Sequence, residues 1–246
     1  MNLKKSLSRL IILAMLFTGC SNYQVQNKSI SLPDEATKQK TMTKVQNDVN
    51  EIIGKDYDYV LSNLGEPNST AYWIDKSNID NIDNLENLDD IEDITDINLI
   101  YLKNVLNEGV NSSALYLKLK DKVVKKAQIV DYSRGNRIKT LDKSKILIDC
   151  YNDGDIVKTA DLDMKKLDDF TGIDSSEMSK IVGDKRPSYD AYLYDGVEKC
   201  LNVYYLDDED KLLAIFTSDN NVSEIKILDN KKEVVNEIKN IMLDNY

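Results

Sequence analysis

The chain has 246 residues, 43 acidic against 32 basic, a formal net charge of −11 and no histidine. That balance repels nucleic acid and anionic lipid, and the lack of any imidazole excludes Ser-His-Asp and Cys-His triads, a histidine base and His-ligated zinc. Three cysteines without a C-x-x-C pair support neither a thiolate zinc site nor a redox motif, and no glycine-rich loop is available to cradle a phosphate. No cofactor is implied.

The chain opens with Lys4, Lys5 and Arg9, continues through the apolar run Leu10–Phe17 and reaches Thr18-Gly19-Cys20. The run is too short to span a bilayer, and its flanks are those of a cleaved leader. This segment resembles a bacterial lipoprotein signal peptide, with Phe17 where that class usually has leucine and Cys20 in the lipidated place. The resemblance implies a leader over residues 1–19, a diacylglycerol thioether on Cys20 and a mature protein held at the extracytoplasmic face of the cell membrane. An ordinary leader with an incidental cysteine is the alternative. Loss of the three cations moves the net charge to −14. Residues 20–41 are polar, lack apolar periodicity and read as the lipidated cysteine and a flexible tether.

The body is organised by a recurring frame. In Gly54–Pro67 the residues Tyr57, Val60, Leu61 and Leu64 make one helical stripe, stopped by Gly65 and Pro67. In Gly172–Pro187 the residues Met178, Ile181 and Val182 make the stripe, stopped by Gly183 and Pro187. Val49, Ile52 and Ile53 before the first frame are answered by Leu167 and Phe170 before the second, which predicts a preceding helix in each. Downstream, Leu115, Leu117 and Leu119 alternate with Tyr116, Lys118 and Lys120, and Leu201, Val203 and Tyr205 lie across from Leu212, Ala214 and Phe216, as in two antiparallel hairpins. The expected fold is α+β, with two tandem helix-helix-antiparallel-sheet repeats over 42–140 and 141–229.

Residues 75–98 interrupt the first repeat. Ile79, Ile82, Leu85, Leu88, Ile91, Ile94 and Ile97 recur every third residue, a period matching neither α-helix nor strand, among nine acidic residues and one lysine. The spacing is not that of a calcium loop. A solvated low-complexity insertion is expected, with cation or partner binding as the other readings. Residues 230–246 close the chain as a helix with the stripe Val234, Ile238, Ile241 and Met242. Cys150 and Cys200 each sit in an apparent strand, as buried free thiols or as a disulfide.

With Val60, Leu64, Gly65, Pro67, Leu115, Leu117 and Leu119 in one copy, and Met178, Val182, Gly183, Pro187, Leu201, Val203 and Tyr205 in the other, the repeat resembles those of the beta-lactamase inhibitor protein and the SmpA/OmlA outer-membrane-assembly lipoproteins. The Gly-Met-Thr helix start common there is replaced by Gly54-Lys55-Asp56 and Gly172-Ile173-Asp174. The resemblance implies a protein-binding module without catalytic residues. A cell-envelope enzyme using carboxylates is the alternative, since any two of 43 acidic side chains could converge.

If both repeats share one sheet with helices on one side, the outward face carries Tyr116, Lys118 and Lys120 from one strand and Asn202, Tyr204 and Leu206 from another. Tyrosine offers broad contact area at small rotamer cost. Tyr116 and Tyr204, with Lys118 and Asn202, are therefore the expected contacts to an extracytoplasmic protein partner, or else they cover the sheet.

Overall fold

A computed structural model describes residues 31–85, 88, 96–102, 113–131, 143–163, 167–207 and 211–242. The leader and Cys20 lie outside the described residues.

Helix α1 (Glu35–Asn47) begins inside the segment expected to be tether. Asp34 caps it by accepting a 2.7 Å bond from the Thr37 amide. Val45 is its one buried residue, so the helix carries almost no apolar periodicity to announce it. The preceding helices predicted before each glycine frame are single 3-10 turns, Val49–Ile52 and Leu167–Phe170. Helix α2 (Tyr57–Leu64) buries Tyr57, Val60, Leu61 and Leu64 as the stripe requires, and Asp56 caps it through the Tyr59 amide. Its counterpart is shorter, a 3-10 turn at Ser175–Glu177 running into α3 (Ser179–Val182). Gly65 and Gly183 end α2 and α3 with φ of 75° and 66° and ψ of −167° and −154°. That is extended backbone of the opposite hand, a region open essentially to glycine, and not the left-handed helical cap expected.

The strands are β1 (Ser69–Asp75), β2 (Asp96–Leu102), β3 (Ser113–Lys120), β4 (Val123–Asp131), β5 (Lys145–Tyr151), β6 (Ile156–Val157), β7 (Tyr189–Tyr194), β8 (Glu198–Leu206), β9 (Leu212–Ser218) and β10 (Asn221–Leu228). They form one sheet in the order β10-β9-β8-β7-β5-β1-β2-β3-β4, antiparallel throughout, with β6 added parallel to β8. Leu201, Val203 and Tyr205 face Phe216, Ala214 and Leu212 in register, as the alternation predicts.

The register divides the sheet into two faces. Leu99, Leu115, Leu117 and Leu119 lie on the front with α1 and α2 packed over them. Tyr204, Leu206, Leu213 and Ile215 lie on the back, packed with Leu167, Ile181 and Val182. The expectation of helices on one side is therefore incorrect. β5 runs antiparallel to both β1 and β7, so β1 and β7 are parallel, and the helical layers of the two halves lie on opposite faces of the sheet.

The two halves fasten their glycine turns to a hairpin in the same manner. Gly54 N donates to Val124 O at 2.9 Å and Tyr57 N to Lys122 O at 2.9 Å; Gly172 N donates to Val222 O and Ser175 N to Asn220 O, both at 2.7 Å. Asp121-Lys122 and Asp219-Asn220 turn with positive φ. The hairpin β3–β4 thus corresponds to β9–β10, one hairpin later than the alternation suggested. Alternation alone does not distinguish successive hairpins of a meander.

Between β1 and β2, residues 76–81 form a 3-10 helix, and Ile79, Ile82, Leu85 and Leu88 are all buried. They share a core with Val234, Val235, Ile238 and Ile241 of helix α4 (Lys231–Met242) and with the front of β5, β7, β8 and β9. The described part of the segment is core and not a solvated loop, whereas Ile91 and Ile94 lie outside the described residues. Over residues 76–81 the period of three is that of the 3-10 helix itself. Helix α4 is capped by a reciprocal pair, with the Glu233 amide donating to Asn230 Oδ1 and the Asp229 amide to Glu233 Oε2. Cys150 points to the front from β5 and Cys200 to the back from β8, with β7 between them, so both thiols are free and no bridge is possible.

Ile82→Ala is expected to cost about 2–5 kcal/mol, the range for truncating a fully buried aliphatic chain, measured by denaturant unfolding. A change within about 0.5 kcal/mol, typical of a surface site, would return the segment to the surface. Nothing lies within 4 Å of a Cβ added at Gly183, so Gly183→Ala isolates backbone strain. A loss of about 1–3 kcal/mol is expected, and an unchanged unfolding midpoint would show that the turn relaxes freely.

Candidate functional site

All four predicted contact residues share the back face, because Asn98 pairs with Lys118, Ile100 with Tyr116 and Asn202 with Ile215 in the registers above. They do not form an exposed patch. Tyr204 is 3% exposed beneath the helical layer of its half, and Tyr116 is 9% exposed among Ala71, Ile100, Ala114 and Leu147. Asn202 is buried, and its amide donates to Cys200 Sγ at 3.3 Å. Lys118 alone reaches solvent, paired with Asp96 at 2.9 Å. The reason is that the helical layers lie on opposite faces, so the back is covered by helical turns in the second half and not by α1 and α2 in the first.

Beside Asn202 the central strands hold a polar row. Asp149 on β5 and Asp190 on β7 are directly opposed, and Asp190 is opposed in turn to Asn202 on β8. Neighbours at such positions have Cβ atoms about 5 Å apart. Both carboxylates are 0% exposed, and the hydroxyls of Tyr151 and Tyr192 donate to Asp149 Oδ2 and Asp190 Oδ2 at 3.3 Å. Two carboxylates converge here as hydrolysis of a glycosidic bond would need, but they are enclosed, and a substrate must reach such a pair from solvent. The alternating apolar pattern drew attention to the strands on either side, whereas β5 and β7 are buried on both faces and present near-continuous apolar runs. An aspartate within each run was the available signal.

Solvent-open concavities lie elsewhere. One of about 570 Å³ is lined by Asp83, Asn84, Tyr205, Asp229, Lys231 and Lys232, where residues 83–84 approach the start of α4. The Tyr205 hydroxyl is 2.8 Å from that of Tyr189, and Lys231 lies 5.5 Å from the Tyr205 ring. A second, about 240 Å³, runs between α1 and α2 and is lined by Thr37, Lys40, Thr41, Lys44, Glu51 and Tyr59, among others. Lys55 lies 4.9 Å above the Tyr59 ring.

The titratable groups displaced from their ordinary range hold backbone in place. Burial, reinforced by the negative charge of Glu66, pushes the Tyr101 phenol far up, and its hydroxyl donates to Gly65 O at 2.9 Å, tying β2 to the end of α2. Bonds from Thr37 hold Asp34 below the usual carboxylate range, and bonds from Ser176 do the same for Asp174. Asp207 is lowered by the Thr159 amide and then its hydroxyl, each 2.7 Å away. Among the described residues, no group of three or more cysteine and carboxylate side chains could hold a metal ion.

The class that this geometry defines is an α+β protein with one large antiparallel sheet. No protein-family model matches the sequence, and no curated protein matches it. Among solved structures, a Streptococcus mutans chain described as a "putative beta-lactamase inhibitor protein", known at 1.40 Å resolution, is 9% identical. That likeness covers 76% of this chain and 96% of the other at a TM-score of 0.26.

A carboxylate whose folded pKa is lowered contributes stability that is fully present above its unfolded value and lost as pH falls through the folded one. Asp207→Ala should therefore melt below the parent by a constant interval at neutral pH, and the interval should narrow below about pH 4. Thermal unfolding across the acid range checks this, and an interval unchanged from neutrality to pH about 3 would assign the effect to packing.

Proposed function

We propose that the protein is a lipid-anchored, extracytoplasmic binding or assembly module built from two tandem copies of one helix-and-sheet unit, without a catalytic role. The observation that carries the anchor is the run Leu10–Phe17 leading into Thr18-Gly19-Cys20 behind three cations. Two or three acyl chains at about 0.8 kcal/mol per buried methylene hold a protein at the bilayer, where a single myristoyl chain would not. Duplication is supported by the matched bonds from Gly54 and Tyr57 in one half and Gly172 and Ser175 in the other, and by the bridges Asp56 to Val123 and Asp174 to Asn221. The binding role is supported by enclosure of the polar row. Among the described residues the opposed carboxylates of Asp149 and Asp190, which the alternative, an envelope hydrolase or its accessory, would need open to substrate, are shut away from solvent.

The test uses intact cells. Parent protein is expected to carry an acyl label and fractionate with membranes, whereas Cys20→Ala should lack the label and be released or left unprocessed. Crosslinking of the anchored parent should yield a discrete adduct with an extracytoplasmic protein. A Cys20→Ala variant that keeps label and fraction would overturn the anchor, and an anchored parent that gives no adduct would overturn the binding role.

A further inference from the structure

The concavity of about 570 Å³, where the segment inserted between β1 and β2 approaches the start of α4, has a chemically narrow lining. Apart from Tyr205 it consists of aspartate, asparagine and lysine: Asp83, Asn84, Asp229, Asn230, Lys231 and Lys232. Among the described residues no leucine, isoleucine or valine lines it, so an apolar ligand would strip water from polar groups and leave them unsatisfied. Its two carboxylates are balanced by two ammonium groups, so its field favours neither a polyanion nor a polycation. Carboxylate, amide and ammonium groups in one wall offer acceptors beside donors. A ligand dense in hydroxyls, each of which both donates and accepts, meets that arrangement without carrying charge.

The wall is held in place before any ligand arrives, which lowers the ordering cost of binding. The Tyr205 ring meets that of buried Tyr189 edge-on, with centroids 6.0 Å apart and hydroxyls at 2.8 Å. The reciprocal cap of α4 uses the Asp229 amide and Asn230 Oδ1 and leaves the Asp229 carboxylate and the Asn230 side-chain N–H groups to other partners. Among the described residues the carboxylates of Asp83 and Asp229 and the ammonium of Lys232 have no protein partner. Lys231 Nζ lies 5.5 Å from the centre of the Tyr205 ring, on a flexible stem that a sugar ring can displace. Ligand cavities run from about 300 to 1,000 Å³; one of this size would leave a single amino acid largely in water and suits a short oligosaccharide.

We propose that this concavity binds a short neutral oligosaccharide, its hydroxyls shared among Asp83, Asp229, Asn230 and Lys232 and its C–H surface set against the Tyr205 ring. The assignment is independent of the lipid anchor and of any protein partner, and it gives the inserted segment a role beyond covering the sheet.

The experiment is saturation-transfer difference NMR on the full chain, held in a detergent without a sugar headgroup. Cellotriose, maltotriose and chitotriose are the neutral probes, and trialanine is the zwitterionic one. At least one trisaccharide should take up saturation from the protein, and trialanine should take up none. Asp83→Ala and Lys232→Ala, both at exposed positions, should each weaken that binding by about ten-fold through lost hydrogen bonds, with melting unchanged. Tyr205→Leu, which keeps an apolar side chain, should abolish the transfer, and Lys40→Ala at the other concavity should bind as the parent does. Absence of transfer to all three trisaccharides, or parent affinity in both folded exposed variants, would overturn the proposal. Transfer to trialanine alone would overturn it in favour of a peptide ligand.

Discussion

The structure depends on β5. A strand inserted antiparallel to both β1 and β7 makes those two parallel, and the helical turns of the two halves pack on opposite faces of the sheet. From that constraint follows the arrangement of the layers. The first half covers the front with α1 and α2, the second covers the back with its short helical turns, and the front of the second half is left requiring another cover. The segment after β1 and the terminal helix α4 supply it, joined to each other by the Val234–Ile241 stripe against Ile79, Ile82, Leu85 and Leu88 and by a bond from Lys239 Nζ to Asp80 O. Four such aliphatic chains, each worth about 1.5–3 kcal/mol when buried, are a large part of the margin that holds a domain folded.

The segment is accordingly a structural necessity of the face exchange and not an ornament on a loop. Among its described residues Ile79, Ile82, Leu85 and Leu88 are buried while Asp80 and Asp83 are exposed, so a highly charged composition coexists with a buried apolar set. In the second half the connection between β7 and β8 is a tight turn at Asp195–Val197.

Much of this was legible in the chain. The α2 stripe, the glycines that end α2 and α3, the β8–β9 register and the α4 stripe were all read from periodicity and punctuation; α2 and α4 each have one buried and one exposed face, whereas β8 and β9 are buried on both. What was not legible had lost that contrast. β1, β5 and β7 are covered on both sides and do not alternate. α1 buries Val45 alone and shows no stripe. The period of three begins in a 3-10 helix at residues 76–81, a helix type too short in most proteins to announce itself by periodicity. The predicted contact surface failed for a different reason. Tyr116 and Tyr204 were correctly placed on one face, but which face a helix covers is decided by the strand between the halves, a long-range fact that no local pattern contains.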